Sequence, residues 1–255
     1  MRSHNKCSKL LGNKKIIVNK GIYARESNVF YRSYIKFKRN FLPFVTCKLA
    51  VSKDYFTINK KNKWITNRFS RGRVHLMRSN HDCIITSSKT IIDDNPRLTC
   101  RINGLNDSSP SRIILDNKLK TPISSKIIKE ASVYPTIIFY NKIKKRKIKL
   151  LKKLKIKIYK IPTNNDGDLD LNKSLIKAKE LGFSRIFIES GIKLTTNFLN
   201  KNLINDFKLI ISNKKLGKDG DGNIKKYFKL FLRNKKNTKE KVNLFGEKLM
   251  TYKLK

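Results

Sequence analysis

The sequence Thr90-Ile-Ile-Asp-Asp-Asn-Pro-Arg-Leu-Thr-Cys-Arg101 comes shortly after the apolar run Cys83-Ile-Ile-Thr86. The apolar run is typical of a short buried strand. Pro96 disfavours the helical conformation at the residue before it, so any helical turn begun in this segment should end there. Asp93 and Asp94 are therefore predicted to lie on a constrained turn just past a strand end. Ligands of open α/β sheets usually bind at such ends, so the segment is a candidate site.

The arginines of this segment allow two interpretations. Arg97 and Arg101 lie four residues apart on an arm that is predicted to be extended. Their planar guanidinium groups suit phosphate or carboxylate ligands. The alternative is a surface turn whose charges only pair with each other, because paired charges are often structural. The spacing alone leaves both interpretations open.

Apolar, β-branched runs alternate with helical patterns along the rest of the chain. Strands are predicted at Phe44–Val51 and at residues 111–116, 134–140, 185–189 and 206–212, and helices at residues 67–80, 171–181 and 194–199. Residues 227–232 and 249–254 are predicted to be strands that finish the sheet as an antiparallel hairpin. The alternation predicts an α/β domain with a largely parallel sheet.

Residues 1–40 precede the strongest strand and are predicted to form a leading segment, with the main domain at residues 41–255. Within the leading segment, residues 14–18 are typical of a short strand and residues 25–34 of a helix. Near the other end, residues 218–223 have the composition of a calcium loop. They lack a glutamate at the required offset, so a flexible turn is predicted there.

The chain is strongly basic: 60 Lys and Arg against 18 Asp and Glu give a formal net charge of +42. This balance is typical of proteins that bind nucleic acid or an anionic surface. Compositional drift is the other explanation, because Lys, Asn and Ile abound and the lysines are spread along the chain. The densest run, residues 142–160 with 11 basic residues of 19, predicts an amphipathic helix and then a strand. An RNA- or membrane-binding helix is the alternative there.

The cysteines indicate a reducing compartment such as the cytoplasm. Cys7, Cys47, Cys83 and Cys100 form no C-x-x-C pair, and the last three lie in apolar runs, so free thiols are expected. The histidines show no metal-ligand spacing with them, and no metal is predicted. No apolar run reaches the ~20 residues of a membrane span, and no signal-peptide pattern opens the sequence. The basic residues 1–20 leave organelle targeting open.

Two features carry chemical information by themselves. Lys48 interrupts the apolar strand Phe44–Val51, where a lysine is costly to bury unless it has a partner, faces a cleft or reaches a sheet edge. Arg185-Ile-Phe-Ile-Glu-Ser-Gly191 predicts a strand and a glycine turn that lead into a helix, an arrangement that forms an anion site. It lacks the G-x-G-x-x-G pattern, so it is not a Rossmann fingerprint.

Five motifs, in this order, resemble those of the reductase half of the bifunctional deaminase/reductase of riboflavin biosynthesis. They are Trp64-Ile-Thr66, Arg78, Thr90-x-x-x-Asp94-x-Pro96-x-Leu98-Thr-x-Arg101, Arg112-Ile-Ile-Leu-Asp116 and Glu189-Ser-Gly191-x-x-Leu194. The resemblance implies a dihydrofolate-reductase-like fold and a homodimer. It also implies NADPH-dependent reduction of 5-amino-6-(5-phosphoribosylamino)uracil to the ribitylamino product. The choice of NADPH over NADH rests on the resemblance alone.

The resemblance also implies roles for individual residues. Lys48 and Glu189 are the expected catalytic residues, Lys48 near the ribose and Glu189 at the polar end of the substrate. Substrate contacts are expected from Asn62, Arg78, Leu98, Arg101 and Glu189. Cofactor contacts are expected from Ala50, Thr57, Trp64, Thr90, Asp94, Asn117, Gly191, Ile192, Lys193, Leu194 and Thr195. Asn62 and Asn117 stand where serines are usual in the family, although an amide can also donate and accept hydrogen bonds.

The deaminase of the bifunctional family needs a zinc-binding H-x-E and P-C-x-x-C set, and these 255 residues contain neither motif. The deaminase domain is therefore expected to be missing, with its activity in a separate partner protein. Residues 1–40 would then correspond to the junction between the two domains. Two alternative functions stay open at this point: a reductase-fold protein that has lost activity, and a basic RNA-binding protein.

Overall fold

Strands and helices alternate along residues 2–255, the part of the chain that the computed structural model describes, with side chains from residue 6 onward. The strands are β1 (Phe44–Val51), β2 (Phe56–Asn59), β3 (Cys83–Ser87), β4 (Ser111–Leu115), β5 (Thr136–Tyr140), β6 (Lys157–Lys160), β7 (Arg185–Glu189), β8 (Asp206–Ile211), β9 (Gly220–Asn223), β10 (Asn237–Lys239) and β11 (Lys248–Lys253). The helices are α1 (Arg2–Asn13), α2 (Ala24–Phe30), α3 (Arg32–Arg39), α4 (Arg68–Ser79), α5 (Ser88–Asp94), α6 (Lys126–Lys129), α7 (Lys145–Lys153), α8 (Leu171–Glu180), α9 (Ile192–Asn200) and α10 (Lys225–Phe231).

The central sheet has the order β10-β11-β8-β1-β7-β3-β4-β5-β6. From β8 to β6 the neighbouring strands run parallel, while β11 joins β8 antiparallel and β10 pairs antiparallel with β11. The largely parallel sheet predicted from the sequence is confirmed, and a C-terminal antiparallel hairpin is present, with β10 rather than residues 227–232 as its first strand. β1 is a central strand between β7 and β8, as its nearly continuous apolar sequence indicates.

Helices cover both faces of this sheet. Successive residues of a strand point to opposite faces, so Ile84 belongs to the buried cluster on the face covered by α4 to α7 and Ile85 to the cluster on the face covered by α8 to α10. The same alternation separates Ile114 from Ile113 in β4 and Ile138 from Phe139 in β5. The apolar runs of the sequence therefore become strands buried on both sides. Within residues 2–255, no helix is long and apolar enough to cross a membrane.

Side-chain caps fix the helices that border the later strands. Asn67 accepts a hydrogen bond from the Ser70 N–H at 2.9 Å and begins α4 where the sequence predicts. Ser87 caps α5 in the same way, and Asn95 ends that helix in a left-handed conformation with φ 42°. Asp93 and Asp94 therefore lie in the last turn of a helix, and the prediction that they lie on a turn after the strand is wrong. Seven residues fit between Ser87 and Asn95, enough for about two helical turns.

The leading segment differs from its prediction. Residues 14–18 form no strand, since Ile16 and Ile17 are exposed and lie against no strand of the described chain. The single helix predicted at residues 25–34 is divided into α2 and α3 at Tyr31. α3 contacts the main domain through Arg32, whose Nη2 donates to Asp206 Oδ1 at 2.6 Å. The domain boundary near residue 40 stays a prediction.

Two further predictions near the C-terminus are wrong. Residues 218–223 do not form only a flexible turn, because β9 pairs antiparallel with β2 in a separate two-stranded sheet. Residues 227–232 are not a strand but belong largely to α10. Ile224, Phe228 and Leu232 are all buried, and their spacing of four residues is that of one helical face.

Candidate active site

One large cavity, of about 1070 Å³, lies where neighbouring parallel strands end. Ala50 of β1, Ser87 of β3, Leu115 of β4 and Glu189 of β7 lie at or near the carboxyl ends of their strands and line it. Open α/β sheets bind ligands at these ends because the loops that follow the strands converge there. The volume lies at the upper end of the range for small-molecule pockets, which leaves room for a dinucleotide and a second ligand.

A lysine, a glutamate and an arginine meet at the strand ends. Lys48 and Glu189 are register partners on the parallel strands β1 and β7, and Lys48 Nζ lies 4.0 Å from Glu189 Oε1. Arg78 of α4 donates from Nε to Glu189 Oε2 at 2.9 Å and from Nη2 to Oε1 at 2.8 Å. Two parallel hydrogen bonds of this kind fix the carboxylate in orientation as well as in position. The structure thus places Lys48 toward the cavity rather than at a sheet edge.

The charges of Lys48, Arg78 and Glu189 shift the pKa values of one another. Burial would raise the pKa of Glu189, but the charge and hydrogen bonds of Arg78, together with Lys48, lower it to about 2. Burial lowers the pKa of Lys48 below its ordinary 10.5, although the Glu189 carboxylate acts in the opposite direction. Glu189 is therefore a fixed anion at neutral pH, and Lys48 gives up its proton more readily than a lysine in water. Such an ammonium group suits proton donation to a bound ligand.

Arg78 and Arg101 differ in how much of each guanidinium group is engaged. Arg78 uses Nε and Nη2 on Glu189, and its Nη1 donates to the Thr99 carbonyl at 2.9 Å. Arg101 lines the cavity and donates from Nη1 to Thr99 Oγ1 at 3.3 Å. Burial and the nearby charges of Arg78 and Arg97 lower the pKa of Arg101. An anion in the cavity would relieve that repulsion, so Arg101 is the better placed of the two to bind one.

The turn between β7 and α9 forms a second polar region of the cavity. Gly191 begins α9 without a side-chain cap, so the N–H groups of the first helical turn have no partner within the helix. A Cβ built at Gly191 would meet nothing within 4 Å, so the space beside the backbone is open to a ligand. The hydroxyl groups of Ser87, Thr90 and Ser190 lie 3.0–3.1 Å from one another and join this turn to the start of α5. This surface can donate several hydrogen bonds to an anionic group.

The outer wall combines an aromatic ring with polar groups. Trp64 is 56% exposed, and the Arg71 guanidinium carbon lies 4.8 Å from the centre of its ring. Asp94 faces the same space, and burial raises the pKa of its carboxyl group. Asn117, which follows β4, donates from Nδ2 to the Gly167 carbonyl at 2.6 Å. An exposed indole ring beside polar groups suits a flat heterocycle with polar edges.

Comparison with known proteins identifies the family. Residues 43–249 match the RibD C-terminal domain. The chain belongs to the RibD C-terminal domain family. A curated relative, the riboflavin biosynthesis protein RibD of Aquifex aeolicus, is 30% identical over 235 residues, which are 90% of this chain and 62% of that protein. This chain therefore spans less than two thirds of that relative's length.

Two solved structures show the shared fold. RibD from Acinetobacter baumannii is similar with a TM-score of 0.77 at 20% identity, covering 97% of this chain and 68% of that one. A Thermotoga maritima protein is similar with a TM-score of 0.73 at 21% identity, covering 96% of this chain and 66% of that one. That protein is named a diaminohydroxyphosphoribosylaminopyrimidine deaminase/5-amino-6-(5-phosphoribosylamino)uracil reductase. These likenesses confirm the α/β fold predicted from the sequence.

Most of the site residues predicted from the family resemblance line the cavity described above. They are Lys48, Ala50, Thr57, Trp64, Arg78, Thr90, Asp94, Leu98, Arg101, Asn117, Glu189, Gly191, Ile192, Lys193 and Leu194. Two do not line it. Asn62 is an exposed loop residue, and Thr195 is fully buried inside α9, where its Oγ1 lies 3.9 Å from Cys47 Sγ. The roles predicted for all these residues stay predictions.

The structure adds cavity residues that sequence reasoning missed. His75 lines the cavity one helical turn before Arg78, and Ser190 lines it beside Gly191. Asn164 and Asp168, from the loop after β6, complete one side, and Lys193 Nζ lies 3.5 Å from Asp168 Oδ2. The spacing of His75 and Arg78 on a predicted helix places them on one face and could have indicated the first. No local pattern indicates the loop after β6.

Proposed function

We propose that this protein reduces 5-amino-6-(5-phosphoribosylamino)uracil to its ribitylamino product in riboflavin biosynthesis, with NADPH as the reductant. The observation that carries the proposal is the charge-paired and largely buried set of Lys48, Glu189 and Arg78, which lines a cavity with room for two ligands. Membership of the RibD C-terminal domain family supports it. The substrate is the one for which the Thermotoga relative is named.

The cavity residues fit a nicotinamide dinucleotide. The open side of Gly191 and the unpaired N–H groups at the start of α9 suit its pyrophosphate. When bound, the cofactor would supply the hydride. Thr90, Asp94 and Asn117 line the same part of the cavity and would hold its polar groups, while Trp64 would contact a ring. Thr195 is buried and would act by supporting α9 rather than by contact.

The remaining residues would bind and orient the substrate. Reduction adds a hydride to the ribosyl C1 and a proton to the ring oxygen, and the ribose ring opens. Lys48 Nζ would donate that proton, because its pKa is lowered and it faces the cavity. The fixed carboxylate of Glu189 would orient polar groups of the pyrimidine. Arg101 would bind the phosphate, because its guanidinium group donates to one side-chain oxygen and has further N–H groups available.

The family resemblance also suggests an oligomeric state, a compartment and the reaction that supplies the substrate. We expect a homodimer in the cytoplasm whose substrate is produced by a deaminase activity acting one step earlier. The free cysteines support a reducing compartment. The measurement that addresses the dimer is the mass of the purified protein in solution.

The deciding experiment is the loss of NADPH absorbance when purified protein is given the deaminated phosphoribosylaminouracil substrate. We expect turnover that is lost in Lys48→Ala, while NADPH binding persists, since Lys48 would serve the ribose. Gly191→Ala should instead weaken NADPH binding, followed by fluorescence of the bound cofactor, at unchanged stability. A folded wild-type protein that does not turn over the substrate would overturn the proposal, whether or not it binds NADPH.

A further inference from the structure

The arm from Asn95 to Arg101 has no regular secondary structure, although it ends with Arg101, the residue proposed to bind the substrate phosphate. Leu98, in the middle of the arm, has a φ of 57° although it is not a glycine, and its side chain is 2% exposed. The left-handed conformation is unfavourable for leucine, so neighbouring elements must hold the arm in it. The position of Arg101 therefore depends on the residues that bind the arm.

Several hydrogen bonds hold the arm from outside. Arg112, itself fully buried, donates from Nη1 to the Arg97 carbonyl at 3.0 Å. Ser109 Oγ accepts from the Cys100 N–H at 3.0 Å. From the cavity side, α4 supplies two more contacts that flank the same residues. Arg78 Nη1 donates to the Thr99 carbonyl at 2.9 Å, and the backbone N–H of Arg101 donates to His75 Nδ1 at 3.0 Å.

Of these four contacts, the one from His75 is made to Arg101 itself. His75 lies three residues before Arg78 on α4, so both side chains project from one helical face toward the arm. Because Nδ1 accepts the Arg101 N–H, the ring is in the tautomer that carries its proton on Nε2. Burial and the charges of Arg78 and Arg101 lower the pKa of His75 to about 4, so this arrangement persists at neutral pH.

We propose that His75 is a positioning residue for phosphate binding: by accepting the Arg101 N–H, it holds the guanidinium group of Arg101 toward the cavity. The inference rests on the proposed function for the identity of the phosphorylated substrate. Arg78 also holds the arm, through the Thr99 carbonyl, but its guanidinium group has no acceptor for the Arg101 N–H. His75 would act through Arg101 and would leave cofactor binding unchanged.

Two substitutions at this position separate the acceptor from the bulk of the side chain. Oδ1 of asparagine can occupy the place of Nδ1, whereas Oε1 of glutamine reaches the place of Nε2. His75→Asn should therefore retain the bond to Arg101, while His75→Gln and His75→Ala should lose it. The first measurement is calorimetric titration with ribose 5-phosphate, a probe that needs neither NADPH nor turnover. We expect about tenfold weaker binding in His75→Ala and His75→Gln and near wild-type binding in His75→Asn.

The same variants are then assayed as enzymes. KM for the phosphorylated substrate should rise about tenfold in His75→Ala with kcat and NADPH affinity nearly unchanged. KM for the dephosphorylated substrate analogue should not change. In an Arg101→Met background, His75→Ala should have no further effect on KM, because the two residues act as one unit.

Three results would overturn the inference. They are unchanged ribose 5-phosphate affinity in His75→Ala, equal effects on phosphorylated and dephosphorylated substrate, and additive effects in the Arg101→Met background. If the wild-type protein shows no turnover, the proposed function fails, and the ribose 5-phosphate titration still decides the role of His75.

Discussion

Arg78 and Lys48 share one carboxylate, Glu189, and each of the three side chains is at most 16% exposed. Removing the positive charge of Arg78 leaves that carboxylate with one partner at 4.0 Å and without its two hydrogen bonds. We expect Arg78→Met, which keeps the apolar stem, to lower the free energy of unfolding by about 3 kcal/mol. The pKa of Glu189 should rise in the same variant because its first stabilising charge is gone. Urea unfolding and titration of the carboxyl group by NMR measure both effects.

Arg68→Met is the matched control for this prediction. Arg68 lies at the exposed start of the same helix, so its substitution should change the free energy of unfolding by less than about 0.5 kcal/mol. Equal effects of the two substitutions would mean that Glu189 does not depend on Arg78 for its charge.

Two histidines should make stability fall on mild acidification. Burial is the main cause that lowers the pKa of both His75 and His81 to about 4, while an unfolded histidine titrates near 6.5. Between these values the unfolded chain binds more protons, so the free energy of unfolding should decrease as pH falls through this window. Glu189 and Glu240, with pKa values of about 2, contribute stability that is lost only at lower pH, below about 4.5.

Urea unfolding at about pH 7 and about pH 5 tests this expectation. His81 stacks on Phe187 with ring centres 4.9 Å apart, so His81→Phe should preserve the packing and reduce the loss of stability between the two pH values. An undiminished loss in that variant would assign the effect to other groups.

Sequence reasoning found site residues where a motif or an unusual environment marked them. Lys48 stood out because it interrupts an apolar strand, and Gly191 because it joins a strand to a helix. For His75 the sequence offers only the weaker signal that it shares a helical face with Arg78, because its contact is a hydrogen bond to a backbone group 26 residues away. The same holds for Asp168, which a loop distant in sequence brings to Lys193. Contacts of this kind follow from the tertiary arrangement, which no local pattern encodes.

The small sheet of β2 and β9 depends on two glycines. A Cβ at Gly220 would lie 2.3 Å from the ring of Phe56 on the partner strand, and one at Gly222 would lie 2.5 Å from Thr57 Oγ1. We expect Gly220→Ala to lower the free energy of unfolding by roughly 1–3 kcal/mol, because the aromatic ring or the strand must move. Thr57 of β2 lines the cavity, so cofactor affinity should fall as well.

Gly72→Ala is the opposite case in the same chain. Gly72 lies inside α4, where a new Cβ meets nothing within 4 Å, so alanine should raise the free energy of unfolding by about 0.5–1 kcal/mol. Thermal unfolding of the two variants beside the wild type tests both signs. A neutral Gly220→Ala would show that the contact with Phe56 does not constrain the pairing.

The elements that the sequence predicts well are those buried on both faces. β1 has the predicted bounds because eight consecutive residues are largely apolar and β-branched. At the edges of the molecule the same signal misleads: Lys14-Lys-Ile-Ile-Val18 is apolar in part, but it lies against no strand of the described chain. In α10 the aromatic residues suited a strand by type, whereas the spacing of four between the buried Ile224, Phe228 and Leu232 was the informative feature.

The proposed reaction does not account for the net charge of +42 that the whole molecule carries. α7 shows how the chain accommodates it: Leu151 is fully buried against the sheet, while Lys149, Lys152 and Lys153 point to solvent. The helix followed by a strand that was predicted for residues 142–160 is confirmed by α7 and β6. None of these lysines borders the cavity. The basic run therefore serves as the outer face of an ordinary crossover, with its positive charge separate from the site.

This separation predicts that the two properties can be changed independently. Replacing Lys149, Lys152 and Lys153 by glutamine should leave kcat and KM within about twofold of the wild type, because surface changes remote from a site rarely affect it. Binding of single-stranded RNA at low salt should weaken, and the dependence of log K on log salt should flatten by up to about 2 units. Lys48→Ala should do the reverse, abolishing turnover at unchanged RNA affinity. Loss of turnover in the triple variant would instead connect the basic face to catalysis.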